Sequence, residues 1–426
     1  MLINEIVDHG PRSVPARASS QERLQIVLPA RIRFRLFLRV LLVPNEHARK
    51  FLAIEGLRGW LAWAVVFSHL TYLSAFNARG LSSFFRLIGL PSVIVFIIVS
   101  GFVVTHVILE KRDAYGPYLI KRFARIFPLL AVTCFIGFFS NDLLSLALGD
   151  PRFGDPQFAK VAADIAASDH SHLSLHLLAH ILMLHGAVPN AVLMDSEYAF
   201  NMPAWSISLE WQFYVLAPLI IFVLLDKRQF LIPLALGVAA SEIALRTLGS
   251  GTVQPGALPL AAVYFATGIL SRLAYSEKFE TYRGLSFTVA LAIVFFPFSQ
   301  FWPFMIWLIV FFGLPIDRLS NPNHVERFYK LVLQNRLALY FGSRSYSIYL
   351  CHYPIISILV WLLLQYSSSL PNMLLLTCTS MPLIILTSEL AHRWIELPGI
   401  AVGKRIALSM QVMRLRSAAN ETVVPG

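Results

Sequence analysis

Charge is scarce in this chain. Of its 426 residues only 14% are Asp, Glu, Lys or Arg, while 57% are hydrophobic. Soluble domains carry roughly a quarter charged residues, so a single water-soluble core is excluded. Acids are the scarcer sign: 24 Asp and Glu stand against 35 Lys and Arg, a formal charge of +11. The excess is scattered between apolar blocks, which argues against a nucleic-acid partner and for loops on a cytoplasmic face. Cysteine is nearly absent. Cys134, Cys351 and Cys378 all lie in apolar stretches and read as small packing residues, not as a disulfide frame or a metal site. The first 30 residues contain no apolar h-region, so no cleavable signal peptide is read there. No internal repeat stands out, which withholds support from a transporter built of two related halves.

What is abundant is apolar sequence in blocks long enough to cross a bilayer. The expected fold class is all-α: a polytopic integral membrane protein with about ten transmembrane helices. The spans fall near 57–77, 87–109, 126–148, 205–225, 229–248, 257–275, 285–299, 302–316, 345–366 and 371–391. Every second connection is basic. Lys111, Arg112, Lys121, Arg122 and Arg125 follow the second span, Lys227 and Arg228 the fourth, and Lys404, Arg405, Arg414 and Arg416 the last. Ten spans with both termini in the cytoplasm satisfy that alternation. Residues 1–50 then form a basic cytoplasmic arm, 51–400 the transmembrane domain and 401–426 a cytoplasmic tail. Within the arm, "RIRFRLFLRVLL" (31–42) reads either as an interfacial segment on the anionic leaflet or as an orientation signal. The histidine-rich "HLSLHLLAHILMLHG" (172–186) is too short to span. It reads as a membrane-surface or re-entrant piece on the outer side.

Ionisable residues inside the spans mark the chemistry. "EGLRGWLAWAVVFSHL" (55–70) carries Arg58 and His69 eleven positions apart, close to three helical turns. One stripe of one helix thus offers a cation near the cytoplasm and a proton-exchanging imidazole roughly 16 Å further along. The plainer alternative pairs Arg58 with Glu55 at the membrane edge and leaves His69 bonded within the bundle. "NMPAWSISLEWQFYVLAPL" (201–219) places Glu210 at the outer half of its span, a depth at which a carboxylate orients a histidine. It could equally bond a neighbouring Trp or Tyr. Lys121, Arg122 and Arg125 cluster at the start of a span, as an anion clamp or as a stop at the headgroups. "GSRSYSIYLCHYPI" (342–355) brings Tyr346 and His352 into another span. Ser100, Trp205, Tyr214, Tyr346 and His352 are the further candidates for lining one cavity. His172, His176 and His180 lie four apart, but no acid or Cys is interleaved, and no metal is expected.

Taken in order, these segments resemble the acyltransferase-3 family of integral membrane acyltransferases. The opening "EGLRGWLAWAVVFSH" matches the family's Arg with a His eleven residues later. "FIIVSGFVVT" (96–105), "KRFARIFPLL" (121–130), "WSISLEWQFYVLAPL" (205–219), "SYSIYLCHYPI" (345–355) and "WIELPG" (394–399) match its later motifs. The likeness covers about residues 53–398, and it departs at Ser92 and Val93, where an acid is common. It implies ten spans in a bacterial inner membrane and no permanently bound cofactor. It also implies acyl-CoA, most simply acetyl-CoA, as cytosolic donor and a glycan or glycolipid acceptor on the outer side. In that scheme His69 is the essential histidine, Arg58 its paired arginine, Glu210 its support, and Lys121, Arg122 and Arg125 the donor contacts. No added hydrolase-like domain follows the last span, so the resemblance implies a single-component enzyme. The rival class is a transporter or flippase for an acidic or acylated solute.

Overall fold

The computed structural model describes residues 51–74, 81–153, 156–226, 256–275, 301–314, 323–367 and 373–421. Among them there are helices and turns but no strand. The long helices are α1 (Leu52–Tyr72), α2 (Leu81–Lys111), α3 (Tyr115–Leu148), α6 (Trp205–Asp226), α7 (Leu258–Tyr275), α11 (Ser345–Tyr366) and α12 (Met373–Ala391). Shorter ones are α4 (Pro156–Ser171), α5 (Leu173–Ile181), α8 (Phe301–Gly313), α9 (His324–Leu333) and α10 (Arg336–Ser343). One π-helical turn, His392–Glu396, joins α12 to α13 (Leu397–Glu421). Six helices among the described residues are long and apolar enough to cross a membrane. The protein is an all-α, multi-pass membrane protein.

Eight of the expected spans coincide with a helix. Those placed at 229–248 and 285–299 lie outside the described residues, as does the 31–42 segment, so the count of ten is not tested. Several span boundaries differ from those expected. The first helix begins at Leu52, five residues early, which carries Arg58 into its second turn. The third begins at Tyr115 and runs for 34 residues, so the basic cluster lies inside the helix and not ahead of it. The boundary drawn at residue 400 falls inside α13, which packs along α3 with Gly399 and Gly403 against Ala124.

Two apolar clusters hold the bundle. Phe102, Phe213, Phe265, Phe304 and Trp307 tie α2, α6, α7 and α8 together. Trp63, Leu70, Leu144, Ile356 and Val360 tie α1 and α3 to α11, at the His69 end. Small residues set a close crossing between α2 and α7. A Cβ on Gly101 of α2 would stand 2.5 Å from the Phe265 carbonyl oxygen, and one on Gly268 of α7 would stand 2.1 Å from that of Ile98. Backbones this near are the membrane packing mode of small residues, and the crossing fixes the neighbouring Ser100. Pro354 in α11 has no N–H for the Leu350 carbonyl one turn back. Asn201 fills that vacancy, its Nδ2 donating to Leu350 O at 3.1 Å.

Candidate active site

Between α1, α2, α3, α6 and α11 lies a cavity with an empty volume of about 780 Å³, counting its open mouth. That is within the range of small-molecule sites, roughly 300–1,000 Å³. Arg58, Arg122 and Arg125 reach it from α1 and α3, Glu210 and Tyr214 from α6, Ser100 from α2, and Tyr346 and Tyr349 from α11. Arg122 is buried, with its guanidinium 5.5 Å from the Tyr118 ring centre and 5.2 Å from that of Tyr214. Among the described residues no carboxylate lies within ion-pair distance of Arg58, Arg122 or Arg125. Glu210 and Glu396 act on Arg58 and Arg125 only at longer range. Three guanidiniums with fixed donor forks, in a cavity whose nearest acid is otherwise engaged, are chemically suited to an anion.

Glu210 is that engaged acid. Ser100 Oγ donates to its Oε1 at 3.1 Å, and the Tyr214 hydroxyl, one turn along α6, donates to the same oxygen. Glu396 is the second acid. It sits almost fully buried at the end of the π-turn, with Ser347 Oγ donating at 3.0 Å and His392 Nδ1 at 2.8 Å. A π-turn frees backbone groups and redirects side chains, and here it brings Glu396 to Ser347 and His392, with Arg125 within its electrostatic reach. Lys121 turns away from the cavity and pairs with Asp113 at 2.7 Å.

His69 stands beyond the cavity, near the far end of α1. Its Nδ1 lies 2.9 Å from Nε2 of His352, and the two rings lie edge to edge, with centres 5.1 Å apart and planes 25° apart. Tyr353 meets His69 edge-on at 5.1 Å. Tyr349, a cavity wall, lies with its ring 6.0 Å from His352. Its hydroxyl bonds Ser206 Oγ at 2.8 Å. The cavity and the imidazole pair are therefore neighbours along α11. Bordering Tyr353 is a smaller hollow of about 380 Å³, with Asn141 and Tyr198 among its other walls.

That histidine-rich segment caps the His69 end. Its apolar side chains Leu175, Leu177, Leu178 and Ile181 are exposed, whereas His176, His180 and His185 are buried. This is the arrangement of a piece lying at a membrane surface. His180 and His185 stack with ring centres 3.9 Å apart and planes 4° apart. Each is tied to a carbonyl, His180 Nδ1 to His176 O at 2.8 Å and His185 Nε2 to Ala204 O at 3.0 Å. Burial depresses all three, His176 and His185 to about 4 and His180 well below its ordinary value. Burial raises Asp169 to about 6, although Asn141 Nδ2 and the Phe200 amide donate to its carboxylate. Phe200 has φ 61°, a left-handed backbone that Asp169 pins in place. Among the described residues no group of three or more His, Cys, Asp or Glu is placed to hold a metal ion.

Of the residues singled out from sequence, Arg58, Arg122, Arg125, Glu210, Ser100, Tyr214 and Tyr346 meet in one cavity. Glu210 was expected to support His69; in the structure Glu210 accepts from Ser100 and Tyr214, and the ring of His69 meets that of His352. Trp205 and His352 do not line the cavity. Trp205 packs against the larger core, and His352 lies behind Tyr349. Tyr349, read from sequence only as a polar residue within its span, and Ser206 also line the cavity, and Glu396 was not singled out. The first two lie inside recognised motifs, and an acid in "WIELPG" next to the last span was the available signal for the third.

Comparison with known proteins adds to this geometry. The chain is 23% identical over 396 residues to the peptidoglycan O-acetyltransferase OatA of Listeria monocytogenes, covering 83% of this chain and 56% of that protein. It is 22% identical over 358 residues to the putative peptidoglycan O-acetyltransferase YrhL of Bacillus subtilis, covering 73% of this chain and 49% of that one. The chain thus spans about half the length of the curated relatives it matches. No solved structure matches it. The family model described as an acyltransferase domain matches residues 51–389, most of the helical bundle and every residue of the arginine cavity and the histidine pair. On that match, the chain belongs to the acyltransferase-3 family.

Proposed function

We propose that this protein is a membrane O-acyltransferase that moves an acyl group, most simply acetyl, from acyl-CoA to a hydroxyl of an extracytoplasmic glycan. The observation that carries this reading is the set of three cavity guanidiniums without a paired carboxylate. It suits a donor bearing several phosphates, and the cavity wall Tyr349 stands against His352, the partner of His69. The names of the two relatives point to a cell-wall glycan as one acceptor class. O-antigen, an exopolysaccharide or a secreted oligosaccharide carries the same hydroxyl. The protein would sit in a bacterial inner membrane with both termini in the cytoplasm, the cavity open to the donor and the histidine cap facing the acceptor. The hollow at Tyr198 and Tyr353 is a path by which a sugar reaches His69.

His69 takes the acceptor hydroxyl proton as the oxygen attacks the thioester carbon. The carbon–sulfur bond then breaks, and the CoA thiolate leaves with the proton that His69 carried. A covalent acyl-histidine gives the same products in two steps, the imidazole forming and then losing the acyl bond. In both schemes Arg58, Arg122 and Arg125 hold the phosphates and raise the share of bound donor poised for transfer.

The test uses membranes holding wild-type protein or His69→Ala, with radiolabelled acetyl-CoA and a cell-envelope glycan extract. Label in base-labile glycan ester that depends on His69 supports the reading. Retained transfer without His69 overturns both mechanisms. Absence of transfer from any acyl-CoA, with several glycans tried, favours a transporter for an acidic solute.

A further inference from the structure

We propose that His352 is a positioning residue for His69: it accepts a hydrogen bond from Nδ1 of His69 and so leaves Nε2 of His69 as the free, reacting nitrogen. The inference rests on the functional reading above but assigns a role to a residue outside the cavity.

The hydrogen-bond pattern fixes the tautomers. Nδ1 of His352 lies 3.2 Å from the Ile348 carbonyl oxygen, one turn back on α11. A carbonyl oxygen only accepts, so the proton of His352 is on Nδ1. A neutral imidazole with its proton on Nδ1 has a lone pair on Nε2. Nε2 of His352 is therefore the acceptor in the 2.9 Å contact with His69, and Nδ1 of His69 is the donor. His69 is left with its lone pair on Nε2, the nitrogen that makes no bond among the described residues. The chain of bonds runs from backbone carbonyl to His352 to His69, with each proton assigned.

Burial separates the two roles. His352 has no exposed surface, so it cannot meet an acceptor sugar. His69 is only part-buried and can. The flanking tyrosines hold the relay in place. Tyr353 stands edge-on to both rings, 5.1 Å from His69 and 6.4 Å from His352, and Tyr349 lies 6.0 Å from His352 on the cavity side. When His69 takes the acceptor proton on Nε2, the donor bond from Nδ1 survives, and no proton has to move on to His352. The assignment serves an acyl-histidine equally, since the acyl group would form its bond at the same nitrogen. A carboxylate performs this orienting task in hydrolytic triads. A neutral imidazole does it here without placing a charge in a span.

The experiment compares wild-type, His352→Gln, His352→Phe and His352→Asn proteins, full length and in lipid nanodiscs, with acetyl-CoA and an acylatable glycan. Gln places an acceptor oxygen near the position of the His352 Nε2. Phe keeps the ring and loses the acceptor. Asn is equally polar but one bond short, and keeps the test alive if the Phe protein does not fold. Expected is a fall in kcat of roughly 10²-fold for Phe and Asn, an unchanged KM for acetyl-CoA, and recovery of most of the rate in Gln. Wild-type kcat in the Phe or Asn protein overturns the proposal. So does a Gln protein that binds donor normally yet is as slow as Phe, because the acceptor atom would then not matter. A wild-type protein that transfers from no acyl-CoA sinks the functional reading, and this role with it.

Discussion

Two pairs of imidazoles meet in this protein, one face to face and one edge to edge, and they are built for different ends. His180 and His185 lie parallel, 3.9 Å apart, under the cap; neither bonds the other, and each is pinned by a backbone carbonyl. His69 and His352 are further apart in ring centre but joined nitrogen to nitrogen, and one member keeps a free nitrogen and some exposure. The first pair fills space as flat, neutral surfaces. The second is directional and stops short of being closed off. Stacking alone thus does not mark a reactive histidine; an asymmetric hydrogen-bond chain that ends on an accessible atom does.

The sharpest way to break that comparison is to substitute one member of each pair identically. His69→Gln should lower acyl transfer roughly 10²- to 10⁴-fold, the range lost with a general base, with the protein still folded. His185→Gln should leave kcat near wild type and lower thermal stability instead, since it disturbs a packed, backbone-bonded ring. Equal losses of kcat in the two variants would erase the distinction.

The next effect concerns donor binding. Arg58→Gln or Arg125→Gln should raise the KM for acyl-CoA roughly tenfold or more, the worth of one or two charge-assisted hydrogen bonds, and lower kcat less. Lys121→Gln should do much less, because Lys121 already pairs with Asp113 outside the cavity. Donor KM measured across the three variants decides whether the clamp is the cavity set or the whole basic cluster.

How much of this was legible in the sequence follows the same line between local and long-range information. Arg58 and His69 share one helix, so their common face follows from spacing alone. Arg122 and Arg125 are one turn apart, and their joint arrival at a cavity was readable as a cluster. The partner of His69 was not: His352 is 283 positions away, and Glu210 looked as suitable because depth from the chain ends was the sole guide. Helix ends account for that error. The first helix runs from Leu52 to Tyr72, so it both starts and ends five residues before its expected bounds, and Glu55 in its first turn hides that start from a hydrophobicity criterion. Glu396 was hidden for a different reason. Its aim depends on a π-turn, and a single extra residue per turn leaves no trace in an apolar pattern.

The smallest expected effect lies in the cap, and its sign can be worked out. His176, His180 and His185 are held neutral by burial, His176 and His185 to about 4. Between the ordinary histidine value of about 6.5 and about 4, the unfolded segment binds protons that the folded cap refuses. Their contribution to stability is therefore lost as pH falls through that window. Asp169, raised to about 6, works the other way: the folded cap takes its proton first, so this group adds stability as pH falls from about 6 toward 4. Asp142 and His170 bond each other at 2.9 Å on the exposed rim, and His172 is exposed beside them. Burial also raises Asp195 and Glu197, from an ordinary carboxyl range that lies below that of histidine; the three imidazoles act first as pH falls below 7, so the cap should loosen on acidification. Hydrogen exchange across residues 172–200, corrected for the intrinsic rate, should rise more between pH 7 and pH 5 than it does in α11. A His180→Phe, His185→Phe protein should show a flatter response, because two of the three groups that oppose protonation are gone. A cap that tightens between those pH values would mean that Asp169 governs the segment, and the paired rings would then be packing and nothing more.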